Sequence, residues 1–132
     1  MLVKGTFEVK AASVAEDKAE GLTLGRFSLH KQYHGELEAT GEGEMLTGST
    51  SVQGSAAYVA VERVTAMLSG RSGSFLLQHA GTMNRGTPSL AITVVPDSGT
   101  GDLAGMTGGM NIVIADGKHF YELEYSLTPT AS

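Results

Sequence analysis

A group of polar and ionisable side chains interrupts two strongly apolar segments near the middle of the chain. Tyr58, Glu62 and Arg63 lie in the first segment, and Gln78 and His79 lie in the second. A charge inside an apolar strand is costly unless it is paired and hydrogen-bonded. A buried Glu–His pair can serve as an acid–base couple or can anchor a ligand. The alternative is that these groups satisfy one another or face solvent as a cross-strand pair.

The register between the two segments decides which of these side chains meet. Both segments predict strands, and residues 70–73 between them predict the turn of a hairpin. If even positions pair with odd ones, Glu62 shares a face with His79. If even positions pair with even ones, Glu62 lies beside Gln78 and Arg63 takes its place next to His79. The more apolar face of the second strand, which we expect to point inward, carries Phe75, Leu77, His79 and Met83.

The remaining histidines do not predict a metal site. His30 and His34 would lie on one face of a strand, about 13 Å apart at roughly 3.3 Å per residue, which is too far to share an ion. A site would need His79 or His119 as well, and the sequence does not bring them together. The chain contains no cysteine, which excludes thiolate ligands, a disulfide framework and a cysteine nucleophile. We therefore expect no metal.

A glycine-rich segment at residues 98–105 resembles a phosphate-binding loop only superficially. Its spacing fits neither the dinucleotide pattern nor a Walker loop, and Asp102 would repel a phosphate. The segment predicts a structural turn, and no nucleotide cofactor is expected. A nucleophile elbow of the G-x-S-x-G kind is also missing from the sequence. No catalytic residue is therefore assigned.

The charge balance and the apolar runs limit the partners. Nine Lys and Arg against fourteen Asp and Glu give a net charge of −5, which disfavours nucleic acid. No window approaches the roughly 20 apolar residues of a membrane helix, so membrane insertion is not expected. The first residues lack the pattern of a signal peptide. Together with the absence of cysteine, this predicts a cytoplasmic protein.

Short apolar runs separated by glycines predict an all-β chain. The 18 glycines are spread along the whole length, which is typical of many turns. Residues 10–20 and 47–55 are interpreted as connections, the former as a loop or a helical turn or two. A further connection at residues 97–109 contains one expected helical turn, Asp102–Ala104. The eight predicted strands are Leu2–Val9, Leu22–Tyr33, Glu36–Leu46, Ala56–Ser69, Ser74–Met83, Ser89–Val95, Met110–Ala115 and Lys118–Leu127.

Eight strands with short connections favour antiparallel order, because parallel strands need crossovers of a dozen or more residues. Closure of the sheet would remove its exposed edges. The prediction is one domain, residues 1–132, folded as a single closed antiparallel β-barrel of about eight strands. In the last strand, His119 and Tyr121 fall on the core-facing side. The candidate ligand-binding residues are thus Tyr58, Glu62, Arg63, Phe75, Gln78, His79, His119 and Tyr121.

An ordered set of motifs is formed by the segments Gly5–Val9, Tyr58–Val64, Gly70–Gly81, Val94–Gly105 and His119–Tyr125. This set resembles a family of small bacterial proteins catalogued as a domain of unknown function. The resemblance covers nearly the whole chain. It implies an eight-stranded barrel like that of allene oxide cyclase, a plant enzyme that steers an unsaturated fatty-acid epoxide inside an apolar barrel. No cyclase catalytic motif is present to carry over, and a shared fold alone does not imply shared chemistry.

Three functions are compatible with such a barrel. The first is the binding of a small apolar or amphipathic ligand in the lumen, oriented by one or two polar groups such as His79 and Glu62. The second is an isomerase or cyclase that acts by confinement with a Glu/His acid–base pair. The third is a homo-oligomer that associates through an apolar outer face, which contains Val59, Val61 and Met67 if Glu62 points inward. We rank them in this order.

Overall fold

The computed structural model describes residues 1–127, and their strands form one closed barrel in sequence order. Each strand is antiparallel to the next, and β8 pairs with β1 to complete the ring. The predicted all-β, eight-stranded antiparallel barrel is confirmed. The strands are β1 (Leu2–Ala19), β2 (Leu22–Gly35), β3 (Leu37–Thr50), β4 (Ala56–Leu68), β5 (Arg71–Asn84), β6 (Thr87–Val94), β7 (Met106–Ala115) and β8 (Lys118–Leu127).

Three hairpins turn through two residues that both have positive φ angles. Two-residue turns of type I′ need this conformation, because its twist matches that of the flanking strands. The turn predicted at residues 70–73 begins one residue earlier and is shorter, since Leu68 pairs with Arg71. The turn at Asp116-Gly117 lies where it was predicted. The three turns are Ser69-Gly70, Arg85-Gly86 and Asp116-Gly117.

The loop or helical turn predicted at residues 10–20 was wrong, because β1 continues to Ala19. The Ala-, Glu- and Lys-rich composition does not favour a strand locally. The segment is extended because it pairs with β2 as far as the Ala19–Leu22 pair. A bulge between Ser13 and Ala15 interrupts this pairing. Bulges and charged side chains are common protections of a sheet edge, and this segment has both.

Two further connections are shorter than predicted, again because pairing extends the strands. β3 runs to Thr50, whose partner is Leu22. β7 begins at Met106, opposite Leu127 of β8. The expected helical turn is present as a 3₁₀ turn over Gly101–Leu103. Within residues 1–127, no helix has the length and hydropathy needed to cross a membrane.

One end of the barrel, which we call the closed half, is filled by side chains. Tyr33, Leu37, Phe75 and Tyr121 are at most 1% exposed there. The segment around the 3₁₀ turn packs against this closed end of the barrel, where the Thr100 N–H donates to the Ser74 carbonyl. Its Leu103 is fully buried in the core. Side chains thus occupy the lumen of this half.

The opposite end, which we call the open half, is a trough rather than a closed ring. β1 pairs with β8 from Leu2 to Phe7 only, whereas its pairing with β2 continues to Ala19. β6 pairs with β7 through Ile92 and Thr93 alone among the described residues. Beyond these points β1–β6 continue as a sheet that is open on one side. The inward face of this trough therefore remains accessible.

Candidate functional site

Glu62 receives three hydrogen bonds at the boundary between the two halves. Nε2 of His79 lies 2.7 Å from Oε1 of Glu62, and Nζ of Lys31 donates to the same oxygen at 3.0 Å. The hydroxyl of Tyr33 donates to Oε2 at 2.8 Å. An ionised carboxylate only accepts, so Nε2 of His79 carries the proton in this contact. We call these four residues the Glu62 cluster.

The pairing of β4 with β5 places Glu62 and His79 on the same inward face. Glu62 pairs with Leu77, so even positions of β4 face inward together with odd positions of β5. Of the two registers left open by the sequence, the structure has the one that joins Glu62 to His79. Gly41 of β3 makes room for the carboxylate, because a Cβ there would overlap Oε2 of Glu62. A glycine at this position of β3 therefore gives the carboxylate the space it occupies.

The surroundings of Glu62 keep it ionised. Burial alone would raise its pKa, but the hydrogen bond from His79 and the positive charge of Lys31 outweigh burial. The pKa of Glu62 therefore lies below its usual value. Burial and the neighbouring carboxylate both raise the pKa of Tyr33, so this hydroxyl stays a donor. The cluster is an ion pair with two further hydrogen-bond donors.

Lys31 is buried in an aromatic environment. Its Nζ lies 5.4 Å from the centre of the Phe7 ring and 5.9 Å from that of Tyr33. The Lys31 side chain is only 6% exposed, and its charge is balanced by Glu62. A cation over aromatic faces gains further stabilisation when it is desolvated. All polar side-chain atoms buried in the described residues have a partner.

Tyr121 links several elements of the closed half through its hydroxyl and its ring. Its hydroxyl donates to the carbonyl of His34 at 2.9 Å and accepts from the Leu37 N–H at 3.2 Å. Its ring meets that of Tyr33 edge-on at 5.7 Å. Phe75, another sequence candidate, is 1% exposed in the same core. Both residues therefore have packing roles in the structure.

An apolar pocket lies on the inward side of the open half, next to the Glu62 cluster. Its volume is about 390 Å³. Tyr58 lies two inward positions along β4 from Glu62, and Gly81 lies one inward position along β5 from His79. The pocket is thus reached from the cluster by following either strand toward the mouth. It is lined by Met45, Thr47, Gly48, Ser49, Ala56, Ala57, Tyr58, Gly81, Thr82, Met83, Pro88, Ser89 and Leu90.

Tyr58 stands between the pocket and the Glu62 cluster. The residue is half-buried, and its ring packs over Gly81, where a Cβ would lie 2.6 Å from Cε1 of the ring. Burial and the charge of Glu62 raise the pKa of the Tyr58 hydroxyl. The hydroxyl is therefore protonated at neutral pH. The described residues give this hydroxyl no side-chain hydrogen bond, so solvent reaches it, because every buried polar side-chain atom there has a partner.

The other sequence candidates are distributed over both faces of the barrel. His119 faces inward on β8, half-buried, with its ring centre 5.1 Å from that of Phe7. Arg63 and Gln78 point outward, and Nη2 of Arg63 lies 3.7 Å from Oε2 of Glu42. The structure therefore brings Tyr58, Glu62 and His79 to one region and leaves Arg63 and Gln78 outside it.

His30 and His34 also lie on the outer face. Nε2 of His34 is 2.7 Å from Oε2 of Glu8, and Nδ1 of His30 is 3.8 Å from Oε1 of Glu42. In the part of the chain that the structure describes, no three His, Cys, Asp or Glu side chains come together in a group that would hold a metal. These two histidines thus contact surface carboxylates on the outer face.

Lys31 and Tyr33 were missed in the sequence, although a signal for them exists. In β2 the odd positions Phe27, Leu29, Lys31 and Tyr33 alternate with polar neighbours such as Ser28 and His30. This alternation places Lys31 on the apolar, inward face. An inward lysine requires a buried acid, and Glu62 is the inward acid of β4.

Comparison with known proteins gives a family but no activity. No curated protein matches the chain. A crystal structure of a protein of unknown function from the DUF3224 family, from Shewanella oneidensis MR-1, is 46% identical to it. The similarity covers 98% of both chains with a TM-score of 0.95. The model of that family, described as "Protein of unknown function (DUF3224)", matches residues 3–125. The resemblance inferred from the motifs is therefore confirmed, and the chain belongs to the DUF3224 family.

Proposed function

We propose that this protein binds a small, largely apolar molecule in the pocket of the open half. The observation that carries the proposal is the composition of the pocket wall. A cavity of about 390 Å³ is lined by apolar and small side chains beside a fully satisfied buried ion pair. Pockets of roughly 300–1,000 Å³ with a few polar groups are typical of small-molecule sites. We therefore expect the ligand in the open half, at the mouth of the barrel, and not in the lumen of the closed half, which side chains fill.

The Glu62 cluster supports such a site by holding its floor rigid. The contact between the inward side chains of Glu62 and His79 links β4 to β5. The hydrogen bond from Lys31 to Glu62 attaches β2 to these two strands. A wall that is fixed before the ligand arrives loses little conformational entropy on binding. The cluster therefore has a positioning role in the proposal.

A fluorescence titration tests the proposal. The probe is N-phenyl-1-naphthylamine, which is uncharged and fluoresces more strongly in apolar surroundings. We expect a saturable increase with one site per chain. Ala56, which lines the pocket opposite Met83, offers a blocking variant. Ala56→Trp should weaken probe binding at least tenfold, because the indole fills the space.

The matched control is Ala12→Trp, which adds the same side chain to the exposed outer face of β1. This variant should bind the probe within twofold of the wild type. Circular dichroism verifies that both variants fold. No saturable binding by the wild type, or equal binding by Ala56→Trp, contradicts the proposal.

The isomerase or cyclase alternative has weaker support. A catalytic acid or base must reach the substrate. Glu62 is 1% exposed and His79 is 2% exposed, and they bond to each other. A molecule in the pocket would meet Tyr58 before either of them. We therefore place binding ahead of catalysis.

Self-association is a second candidate, favoured by the outer face of β3 and β4. Leu46 and Val59 pair directly across the strands and are 55% and 52% exposed, and the neighbouring Val61 is 51% exposed. The ion pairs Arg26–Glu44 and Arg63–Glu42 border this patch and make it neutral, although the chain carries a net charge of −5. Two copies can therefore meet here without net repulsion.

Sedimentation at protein concentrations from 5 to about 500 μM would test the second candidate. Exposed apolar patches of this kind mark interaction sites, and a small patch gives weak association. We expect a monomer–dimer equilibrium that Val59→Lys shifts toward the monomer. A wild type that stays monomeric over this range excludes the second copy as the occupant of the patch.

A further inference from the structure

We propose that the seam between β6 and β7 is a gate that closes over a molecule held in the open half. In the closed form, the unpaired ends of the two strands join in the register that their paired part already has. The gate rests on the proposed function, because it controls access to the same pocket. Three features carry it: the length of the unpaired ends, the direction of their backbone groups and the gap between them.

The unpaired ends of the two strands match in length. Among residues 1–127, the last pair of the seam toward the mouth is Ile92 with Met110. The same register, continued toward the mouth, brings Thr87, the first residue of β6, opposite Ala115, the last residue of β7. Every remaining residue of β6 at this end therefore has a counterpart in β7, and neither strand projects beyond the other.

The backbone groups of both ends are directed toward the seam at matching positions. Each strand adjoins a two-residue turn, so the pair that closes the turn is hydrogen-bonded within its own hairpin. Hydrogen-bonded and non-hydrogen-bonded pairs alternate along an antiparallel ladder. Pro88 and Leu90 therefore direct their backbone groups toward β7, and Ile112 and Ile114 direct theirs toward β6. The continued register places Leu90 opposite Ile112 and Pro88 opposite Ile114.

Pro88 and a glycine pair keep the closed seam weak enough to open again. Pro88 has no N–H, so it only accepts a hydrogen bond from Ile114 in the closed form. A proline also reduces the number of free donors on an open sheet edge. In β7, Gly108 has a φ angle of 153°, and Gly109 follows it where the pairing with β6 stops. Glycines inside a strand weaken it and mark bends, so β7 can turn at this point.

Apolar side chains face the gap that closure would remove. Leu90 lines both the apolar pocket and this gap, whose volume is about 330 Å³. Ile114 shares the inward side of β8 residue His119, with which it pairs, yet it is 67% exposed. Joining the strands buries these side chains against each other and beside the pocket wall. A bound apolar molecule favours the closed form, because it gains contacts that only this form makes. The gap is lined by Leu90, Met110, Asn111, Ile112, Val113 and Glu122.

An engineered disulfide tests whether the seam closes, in a chain that has no cysteine of its own. Ser89 and Val113 face each other on the outer side in the continued register, where closure brings their Cα atoms to about 4.5 Å, within disulfide range. With oxidised glutathione, Ser89→Cys/Val113→Cys should form an intramolecular disulfide at least fivefold faster at saturating N-phenyl-1-naphthylamine than without the probe. The control is Thr87→Cys/Asn111→Cys, which is also exposed but out of register, because Asn111 would face Ala91. It should form no disulfide.

Two further measurements test whether closure controls access. When it is loaded with probe and then oxidised, Ser89→Cys/Val113→Cys should release the probe at least tenfold more slowly than the same protein with the disulfide reduced. In the wild type, saturating probe should slow hydrogen exchange of the Ile112 amide at least tenfold, because this amide gains a partner in β6. The Val113 amide is directed toward β8, with which Val113 already pairs, so its exchange should not change.

The outcomes separate the gate from the binding site. A disulfide that fails to form, or that joins only two different chains, overturns the gate, and so does an unchanged release of the probe after cross-linking. Equal exchange of the Ile112 amide with and without the probe also contradicts it. Binding in the pocket stands in each of these cases, because the wild-type titration measures it separately. A wild type that binds no probe overturns the proposed function and the gate together.

Discussion

Oε1 of Glu62 lies 2.7 Å from Nε2 of His79 where the filled half of the barrel meets its open half. The contact joins neighbouring strands, β4 and β5, whose inward residues nearer the mouth include Tyr58 and Gly81 of the apolar pocket. The same carboxylate holds Lys31 and Tyr33 of β2. One buried acid therefore links three strands at the base of the proposed binding site.

The first prediction concerns the pH dependence of stability. Since the pKa of Glu62 is lowered in the folded chain, its contribution to stability is present above about pH 4.5 and is lost as the pH falls through the folded pKa. The difference in unfolding free energy between wild type and Glu62→Gln should thus shrink as the pH drops below about 4.5. Urea unfolding from pH 7 to pH 3 measures it. A difference that stays constant over this range would disprove the assignment.

A second prediction addresses the buried ion pair. Lys31→Met leaves Glu62 without its cation and should destabilise the fold by about 3 kcal/mol. The double variant Lys31→Met/Glu62→Gln should lose less than the sum of the single variants, with a coupling of at least about 1 kcal/mol. Chemical denaturation provides all the values of the cycle. Strict additivity would mean that the two groups do not interact.

The control for this cycle is an exposed ion pair of the same type. Nζ of Lys4 lies 3.6 Å from Oε1 of Glu122, and both side chains are exposed. Lys4→Met should change stability by no more than about 0.5 kcal/mol, because exposed pairs contribute little. A cost similar to that of Lys31→Met would indicate a general effect of charge.

The third prediction tests the space that Gly41 leaves for Glu62. Gly41→Ala should destabilise the protein by about 2 kcal/mol or more, because the new methyl group overlaps the carboxylate. Gly48 on the same strand is a matched control, since a Cβ there meets only a methyl carbon of Leu24, at 4.0 Å. Gly48→Ala should be neutral or slightly stabilising. Thermal unfolding of both variants decides, and equal effects would contradict the account.

A fourth prediction separates the two ends of the barrel. Leu103 is fully buried at the closed end, far along the strands from the pocket. Leu103→Ala should lower the unfolding free energy by about 3 kcal/mol through the cavity it leaves. Probe affinity at the open end should remain within twofold at a temperature where the variant is folded. Loss of binding together with stability would place the two ends in one cooperative unit.

Much of the fold follows from residue patterns, whereas the extent of pairing does not. The alternation of β8 and the Asp116-Gly117 turn are readable because side-chain period and turn chemistry are local properties. The strand character of residues 10–19 is not local, since it arises from pairing with β2. The open half exists because β1 continues beyond Phe7, the last of its residues that pairs with β8. A sequence pattern does not predict how far each strand stays paired with each of its two neighbours.

The candidate site was only partly predictable for a related reason. Glu62 and His79 stood out because polar groups in apolar strands need an explanation, but two registers remained open. Deciding between them required the position of the Ser69-Gly70 turn, which fixes the pairing of β4 with β5. The wall residues Met45 and Leu90 carry no chemical signal, and only the assembled trough gives them a role.

The central claim is that the apolar pocket of the open half is a ligand site. Nuclear magnetic resonance of the ¹⁵N-labelled protein, titrated with 2-undecanone, tests it most directly. We predict saturable shifts of the backbone amides of Tyr58, Gly81, Met83 and Leu90, with those of Arg63 and Leu103 unchanged. Shifts that cluster on the outer face, or no saturable shift at concentrations up to the solubility limit of the ketone, would contradict the claim.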